Sequence, residues 1–297
     1  MITFTKKYED LASEMATKHH ASSSPRTLPP PTRQAVGDLV DQAKRILFPH
    51  ADSHDYTDLG YHLESLMVTF DAALARQISL AIANQCDRDW KQSDLELKAE
   101  EVAMAFMHKL PEVQAALEAD VEAAYKGDPS LECTMEAVLC YPGVQAVIAY
   151  RVANVLHEIG VPLLPRMITE SAHSTTGIDI HPGATIGEGF FIDHGTGVVI
   201  GATSIIGRNV RLYQGVTLGA KSLKSDKDGI VPKGEPRHPI LEDDVVIYSW
   251  ASVLGRITVG QGSVVGGNVW VTRDVPAGSR VKQAKTISTG FSGGAGI

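Results

Sequence analysis

The chain has 297 residues, a net charge of -8 at pH 7 and 43% hydrophobic residues. The negative charge argues against nucleic-acid binding, which requires clustered Lys and Arg. No apolar run approaches the ~20 residues of a membrane-spanning helix, and the first residues lack the apolar stretch of a secretory signal. Three cysteines without metal-ligand spacing fit a reducing compartment, so we expect a cytoplasmic protein with buried thiols.

The first half of the chain has a helical pattern. Residues 1–34 include Pro29-Pro30-Pro31, which is typical of a flexible arm. Residues 35–172 then carry apolar side chains at intervals of three and four, which predicts packed amphipathic helices. Pro142-Gly143 and Gly160 bracket one helix, from about Val144 to Glu158. The apolar positions are Leu39, Ala43, Ile46, Leu47, Leu59, Leu63, Leu66, Met67, Phe70, Leu74, Val102, Ala105, Phe106, Val113, Leu117, Val121 and Ala124.

From Gly177 onward the apolar residues recur every six positions, which is the hexapeptide signature of a β-helix. We predict an α+β chain in which an N-terminal all-α helical domain precedes a left-handed parallel β-helix at 173–279. Three hexads, each with one short strand, would form one coil of the β-helix. Only one member of the two series is not aliphatic. The first series is Ile180, Ile186, Ile192, Val198, Ser204, Val210 and Val216, and the second is Leu241, Ile247, Val253, Val259, Val265 and Val271.

The two series are out of phase, because the interval from Val216 to Leu241 is one position longer than four hexads. We therefore expect residues 219–240 to contain a loop outside the β-helix, and long loops on rigid scaffolds are often functional. The lysines of this loop are either solvated or in contact with a phosphorylated ligand; they are Lys221, Lys224, Lys227 and Lys233. Residues 280–297 are expected to form a flexible tail.

Charged residues within the repeats gain nothing from packing, so they are candidates for chemistry. The interval from Asp179 to His194 is three positions short of a regular coil, and neighbouring coils lie ~4.8 Å apart. A carboxylate that accepts a hydrogen bond from one imidazole nitrogen leaves the other nitrogen free to act as a base. The alternative is that His194 only caps a turn.

Three motifs resemble those of the bacterial serine O-acetyltransferases: Asp179-Ile180-His181-Pro182-Gly183-Ala184, residues 192–201 and Gly215-Val216-Thr217-Leu218-Gly219. Asp128-Pro129-Ser130, Tyr141-Pro142-Gly143 and Tyr150-Arg151 are similar to the sequence that precedes the β-helix in that family. The resemblance covers roughly residues 128–275, but the loop before Arg237 is longer than in the enterobacterial members. It implies acetyl transfer from acetyl-CoA to L-serine, without a metal and without an acyl-enzyme, as the first step of cysteine biosynthesis.

The resemblance also implies a role for each matching residue. His194 would be the general base and Asp179 would orient it, whereas His238 would position the substrate or stabilise the oxyanion. Asp128 and Asp193 would bind the serine ammonium group, and Arg237 would bind its carboxylate. The residues that would line the acetyl-CoA groove are Gly219, Ala220, Lys221 and Ser249.

The resemblance further implies partners for the chain. Cysteine would be a feedback inhibitor in the serine site, and the helical domain would join homotrimers into a dimer of trimers. Family members often end in Gly-x-Ile and insert this tail into O-acetylserine sulfhydrylase. Gly296-Ile297 fits that pattern in part, so Ile297 is a candidate contact.

Three alternatives remain open at this point. An acyltransferase on the same scaffold that acts on a sugar would need the His base, but not the three charged residues Asp128, Asp193 and Arg237. A zinc hydratase would need three histidines that converge on one metal, and His181, His194 and His238 supply that number. A non-catalytic scaffold that regulates the sulfhydrylase through its tail would not need His194.

Overall fold

A computed structural model of the chain describes residues 8–22, 28–51, 58–85, 92–221, 232 and 234–284. It confirms the predicted order of a helical domain followed by a parallel β-helix of about five coils. The helices in the described residues are α1 (Glu9–Ser22), α2 (Arg33–Leu47), α3 (Leu59–Ala83), α4 (Gln92–Met107), α5 (Leu110–Gly127), α6 (Thr134–Cys140), α7 (Pro142–Ile159) and α8 (Leu164–Thr176).

The helix boundaries follow from local capping chemistry. Thr32 and Asp58 accept hydrogen bonds from backbone amides of the first turns of α2 and α3, and these amides have no partner within the helix. Pro142 lies at the first position of α7, and Gly160 ends this helix with φ +89°. Helix α7 was predicted two residues shorter at its start and one residue shorter at its end.

Most of the predicted apolar positions of the helical domain are buried in its core, whereas Leu59, Leu63, Leu66 and Met67 are only half-buried. Phe70 and Phe106 are fully buried, with ring centroids 5.8 Å apart. Ala105 is exposed, whereas Ala103 takes the buried position on α4. Helix α1 lies within the arm predicted to be flexible, and the side chains described in it are exposed.

Helix α3 is, by length and composition, the one described helix that could cross a membrane. It packs instead against α2, α4 and α8 within the helical domain, and Leu74 and Ile78 are buried there. Tyr61 and Val68 are exposed on its first half.

The β-helix consists of short strands that stack into three parallel sheets, as the hexapeptide pattern predicts. Sheet A contains β1 (Asp179–Ile180), β4 (Val199–Ile200), β7 (Thr217–Gly219), β10 (Ser252–Leu254) and β13 (Trp270–Val271). Sheet B contains β2 (Thr185–Ile186), β5 (Ile205–Ile206), β8 (Ile240–Leu241) and β11 (Thr258–Val259), and sheet C contains β3 (Phe191–Asp193), β6 (Arg211–Tyr213), β9 (Val246–Ile247), β12 (Val264–Val265) and β14 (Arg280–Val281).

The prediction of three regular hexads in every coil is wrong for the first coil. Asp179 pairs with Val199, whereas Val199 pairs with Thr217, so the first coil is two positions longer than the coil that follows it. Ile200, and not the predicted Val198, therefore stacks on Ile180. Val198 is also buried, because residues two positions apart on a strand share a face. Val198 thus starts a second set of buried positions, which lie beside the residues that stack directly on one another. Ser204, Val210 and Val216 belong to this second set.

The predicted loop interrupts the third coil. Thr217 pairs with Ser252, which makes this coil almost twice as long as the regular coil from Val199 to Thr217. Most of the additional chain lies in the interval 222–233, outside the described residues apart from residue 232. The coils before and after the loop stay in register.

A buried ion pair joins the helical domain to the β-helix. Arg151 on α7 makes two hydrogen bonds to Asp120 on α5, of 2.5 and 2.8 Å. Arg151 also donates to the carbonyl oxygen of Gly187 at 2.8 Å, and the amide of Phe190 donates to Asp120 at 2.8 Å. Burial raises the pKa of Asp120, and the hydrogen bonds from Arg151 oppose this effect. The turn that leads into β3 is thereby fixed by both helices.

The expectation of buried thiols is wrong for two of the three cysteines. Cys133 directly precedes the short helix α6, and Cys140 is its last residue. Both thiols are exposed and free. Cys86 lies outside the described residues.

Candidate active site

The two extra residues of the first coil are His194 and Gly195. Successive coils have an equivalent backbone hydrogen bond at the turn from sheet C to sheet A. The amide of Gly215 donates to the carbonyl oxygen of Thr196, and in the next coil the amide of Trp250 donates to the carbonyl oxygen of Gln214. His194 and Gly195 have no counterparts in the coils above. We call this turn, at residues 194–197, 214–215, 249–250 and 267–268, the His194 corner.

The insertion directs His194 out of the β-helix. His194 has φ +58°, an uncommon conformation for a residue with a side chain, and its side chain is 74% exposed. Gly195 has φ +86°, and a Cβ there would overlap the Ile178 side chain, so this position requires glycine. An exposed imidazole on a rigid turn is accessible to a substrate, whereas a histidine that only capped the turn would be packed against it.

Asp193 precedes His194 at the end of β3 and is almost completely buried. Its Oδ2 accepts a hydrogen bond from Nη2 of Arg211 at 2.8 Å, and its Oδ1 lies 3.9 Å from Nε2 of His194. The buried carboxylate is thus held by a cation on one side and faces the imidazole on the other.

Asp128 follows α5 and reaches the same region from the helical domain. Its carboxylate accepts hydrogen bonds from the hydroxyl of Ser130 at 2.7 Å, the amide of Ser130 at 2.8 Å and the hydroxyl of Tyr141 at 2.8 Å. These donors, those of Ser130 above all, lower the pKa of Asp128 and keep it ionised. An ionised, oriented carboxylate is suited to bind an ammonium group.

Asp179 does not form the predicted hydrogen bond to His194. Its carboxylate lies instead with the side chains of Glu170 and His173 on α8, with the three ligand atoms within 4.8 Å of one another. Among the described residues, Asp193 alone places a carboxylate oxygen within 4.0 Å of a His194 nitrogen. The reason is the insertion, which turns His194 outward at positive φ. The assignment of Asp179 as the orienting carboxylate stays a prediction.

Arg237 and His238 lie at another turn, from sheet A to sheet B, which we call the His238 corner (residues 201–204, 219–221, 237–239 and 255–256). Thr203 Oγ1 accepts hydrogen bonds from the amides of Arg237 and His238 at 2.9 and 3.1 Å. The His238 ring lies over Gly201, where any Cβ would overlap it. Arg256 donates to the carbonyl oxygen of His238 at 3.0 Å.

The hydrogen bonds of His238 fix its tautomer. Nδ1 accepts from the amide of Thr203 at 3.1 Å, so the proton of the neutral ring is on Nε2. Burial lowers the pKa of His238, and the charges of Arg237 and Arg256 lower it further. His238 is therefore a neutral donor and is suited to stabilise an oxyanion.

The residues predicted to contact acetyl-CoA are divided between the two corners. Gly219, Ala220 and Lys221 lie at the His238 corner, and Ser249 lies at the His194 corner. Lys221 is exposed. Lys224, Lys227 and Lys233 of the loop, and Ile297 of the tail, lie outside the described residues.

Within a single chain, the three histidines that a zinc hydratase would require do not converge. His181 is at the turn from sheet A to sheet B in the first coil, where its ring centroid is 6.2 Å from that of His157, and His194 is at the His194 corner. In the described part of the chain, the group of side chains with metal-ligand proximity is Glu170, His173 and Asp179, which contains none of the three.

Three residues near these corners were missed from the sequence as site residues. Arg211 holds Asp193, Tyr141 holds Asp128, and Thr203 holds His238. Arg211 gave no signal because a charged residue on an outward strand position is usually solvated. Tyr141 was noted within a motif, and its contact with Asp128 depends on the bend between α5 and α7.

A parallel hexapeptide β-helix with an exposed imidazole at one turn and a buried neutral imidazole at another fits an acyltransferase, although a fold alone does not define a function. The comparisons with known proteins specify the family. The sequence model "Serine acetyltransferase, N-terminal" matches residues 62–149. A plasmid-encoded serine acetyltransferase of Synechococcus elongatus is 45% identical over 294 residues, which cover 96% of this chain and 92% of the relative.

Solved structures agree with this assignment. The serine acetyltransferase isoform 3 of Entamoeba histolytica in complex with cysteine has a TM-score of 0.72 at 30% identity, with 95% of both chains covered. The native serine acetyltransferase 1 of the same organism has a TM-score of 0.73 at 35% identity, covering 92% of this chain and 97% of that one. The chain therefore belongs to the serine acetyltransferase family, and it is an acyltransferase.

Proposed function

We propose that the chain transfers the acetyl group of acetyl-CoA to the hydroxyl of L-serine, which yields O-acetyl-L-serine and CoA, the first step of cysteine biosynthesis. The observation that carries this proposal is the His194 insertion next to two carboxylates, Asp193 and Asp128. An exposed base next to an ammonium-binding pocket fits an amino-acid alcohol. A sugar acceptor would not use these carboxylates.

The transfer is direct in this proposal. His194 takes the proton from the serine hydroxyl as its oxygen forms a bond to the acetyl carbonyl carbon. The Nε2–H of His238 stabilises the oxyanion that develops on the carbonyl oxygen. When the carbon–sulfur bond breaks, His194 returns the proton to the sulfur of CoA. No residue carries the acetyl group, and the step requires no metal.

The amino-acid part of serine is bound by charges of opposite sign. Asp128 and Asp193 bind its ammonium group, and the Arg237 guanidinium binds its carboxylate. Asp179 orients His194 once the substrate occupies the corner. Gly219, Ala220, Lys221 and Ser249 line the acetyl-CoA groove.

The active site is formed between two copies of the chain in this proposal. Asp193 and His194 lie at one corner of the β-helix, and Arg237 and His238 lie at another, so one chain does not supply a complete site. Trp250 and Trp270 are 58% and 72% exposed, and large exposed apolar side chains mark protein interfaces. A homotrimer, or a dimer of trimers, repeats the pairing of these corners by rotation.

Cysteine inhibits the enzyme by occupying the serine pocket, because it has the same ammonium and carboxylate groups. The related Entamoeba enzyme was solved with cysteine bound, and a related Neisseria gonorrhoeae enzyme, 26% identical with a TM-score of 0.55, was solved with serine bound. We also propose a cytoplasmic location and contact of Ile297 with O-acetylserine sulfhydrylase; deletion of Ile297 would then abolish sulfhydrylase binding.

The release of the CoA thiol from acetyl-CoA tests the reaction. We expect release that depends on L-serine in the wild type and is about 10²–10⁴-fold slower in His194→Ala, which lacks the general base. His108→Ala is the matched control, because His108 is exposed at the junction of α4 and α5. A panel of sugars is assayed in parallel. Release with a sugar and not with serine would overturn the substrate, and a fully active His194→Ala would overturn the base.

A further inference from the structure

Arg211 has a role near the active site that its sequence position does not reveal. It is the first residue of β6 and points outward from sheet C. An arginine at such a position is usually solvated, but this side chain is only 24% exposed. Its Nε is buried and has no hydrogen-bond partner. Burying a guanidinium with an unsatisfied donor is costly, which suggests a function that outweighs the cost.

Aromatic rings hold the guanidinium in place. Its central carbon lies 5.0 Å from the centroid of the Phe191 ring and 4.8 Å from that of the Tyr213 ring. Tyr213 is stacked in turn on Tyr248, with centroids 4.8 Å apart and an angle of 8° between the planes. The cation therefore lies against two aromatic rings from neighbouring coils, and one of these rings is stacked on a third.

The confined cation contacts one carboxylate and lies near the other. Nη2 of Arg211 donates to Oδ2 of Asp193 at 2.8 Å. A Cβ on Gly127, the residue before Asp128, would lie 3.3 Å from Nη1 of Arg211. Arg211 thus lies where the end of α5 meets β3, and it is a fixed positive charge beside the two carboxylates.

We propose that Arg211 is a positioning residue for the amino-acid substrate and sets the charge of its pocket. It occupies Oδ2 of Asp193 and leaves Oδ1 for the substrate ammonium group. It also reduces the combined charge of Asp128, Asp193 and Arg211 to a single negative charge, which matches one ammonium group. The inference rests on the proposed function and adds a determinant of affinity for L-serine.

Steady-state kinetics with both substrates tests the role. We expect Arg211→Gln to raise the KM for L-serine by about tenfold or more, which is the effect of losing one hydrogen bond between charged groups. The KM for acetyl-CoA should stay within about twofold. Arg211→Lys should restore part of the affinity, because lysine keeps the positive charge but lacks the planar guanidinium group and its several hydrogen-bond donors. Arg208→Gln is the matched control. Arg208 is close to Arg211 in the sequence, but its side chain is exposed and forms an ion pair with Asp243.

A double-mutant cycle of unfolding free energies keeps this test independent of the reaction. Arg211→Gln and Asp193→Asn should not be additive, because the two side chains are in contact. Additive effects would overturn the proposal even if the wild type were inactive with serine. An unchanged KM for serine, or equal losses with both substrates, would also overturn it. If the wild type were inactive with serine and the two substitutions were still non-additive in unfolding free energy, the result would contradict the proposed function alone.

Discussion

His238 depends on a glycine that lies one coil away in the β-helix. A methyl group at Gly201 would overlap the imidazole ring, and the backbone there is fixed by pairing between coils. We expect Gly201→Ala to displace His238 and to lower kcat with serine by about 10²-fold or more. The loss of one oxyanion-binding donor has an effect of this size in other enzymes. Initial rates at saturating substrates measure this effect.

Gly37→Ala is the control for that substitution. Gly37 lies within α2, and a Cβ there would meet nothing within 4 Å. The substitution should leave kcat unchanged and should stabilise the helix by about 0.5–1 kcal/mol. If both variants had wild-type kcat, the position of His238 would have no importance for catalysis.

His181 should make the stability of the fold depend on pH. Burial lowers its pKa to about 4, and the charges of Arg166, His157, His238 and Arg237 act in the same direction. Between an unfolded pKa of about 6.5 and pH 4, the unfolded chain binds a proton that the folded chain does not. The free energy of unfolding should therefore be highest above pH 6.5 and should fall as the pH is lowered towards 4.

Urea unfolding at pH 7 and pH 5 checks the contribution of His181. The loss of stability between these two pH values should be smaller in His181→Gln than in the wild type, since the variant has no group there to protonate. An equal loss in both proteins would assign the pH dependence to other groups, such as His238.

At the scale of single residues, motifs identified charged positions better than they identified contacts. The sequence placed Asp128, Asp193 and His194 together, and the structure places these three at the meeting of α5 and β3. The partner of His194 could not be predicted from its spacing to Asp179, because that argument assumed regular coils. Arg211 was missed because its environment depends on a ring and a carboxylate of the neighbouring coil, Phe191 and Asp193.

At the scale of elements, the hexads predicted the strands but not their register. Ile180, Ile186 and Ile192 are stacked inward as expected, and the prediction lost its phase at Val198. The six-residue period continues through the insertion in the sequence, because Val198 and Ile200 both face inward and both are aliphatic. The longer coil is revealed by the strand pairing, as in the pairing of Asp179 with Val199.

Deletion of His194 and Gly195 together tests the insertion as an element. The deletion should shorten the first coil to the length of the regular coil that follows it, so the β-helix should still fold. Activity should be lost, because the base has been removed. Circular dichroism and the CoA release assay measure the two outcomes.

Gly195→Ala provides the contrast for the deletion. It keeps the longer first coil but forces a Cβ onto Ile178 at positive φ, so it should lower the unfolding temperature more than the deletion does. A deletion variant that failed to fold, with a normally stable Gly195→Ala, would contradict the assignment of these residues as a separable insertion.

At the scale of the whole molecule, the separation of the two corners predicts that activity depends on assembly. Sedimentation equilibrium should show three or six chains. Trp270→Glu should shift the mass towards smaller species and lower the activity in proportion, because it places a charge at an exposed apolar position. A monomeric wild type with full activity would contradict a site formed between copies.

The order of the two domains could be predicted from the change of period at Gly177, but the way they are joined could not. Arg151 and Asp120 are far apart in the sequence, and both occur in helices with ordinary apolar patterns. Their pairing depends on how α5 crosses α7, and that crossing is decided by three-dimensional packing.

The length of the insertion in the first coil has a further consequence, which concerns parity. Side chains alternate between the two faces of a strand, so an insertion of one residue would turn every following side chain to the opposite face. Two residues leave the inward set unchanged from Val198 onward. A coil can thus acquire a reactive group without disturbing the coils stacked upon it, provided that the addition is even. Additions that leave the wall of the prism altogether, as the long loop does, are free of this restriction.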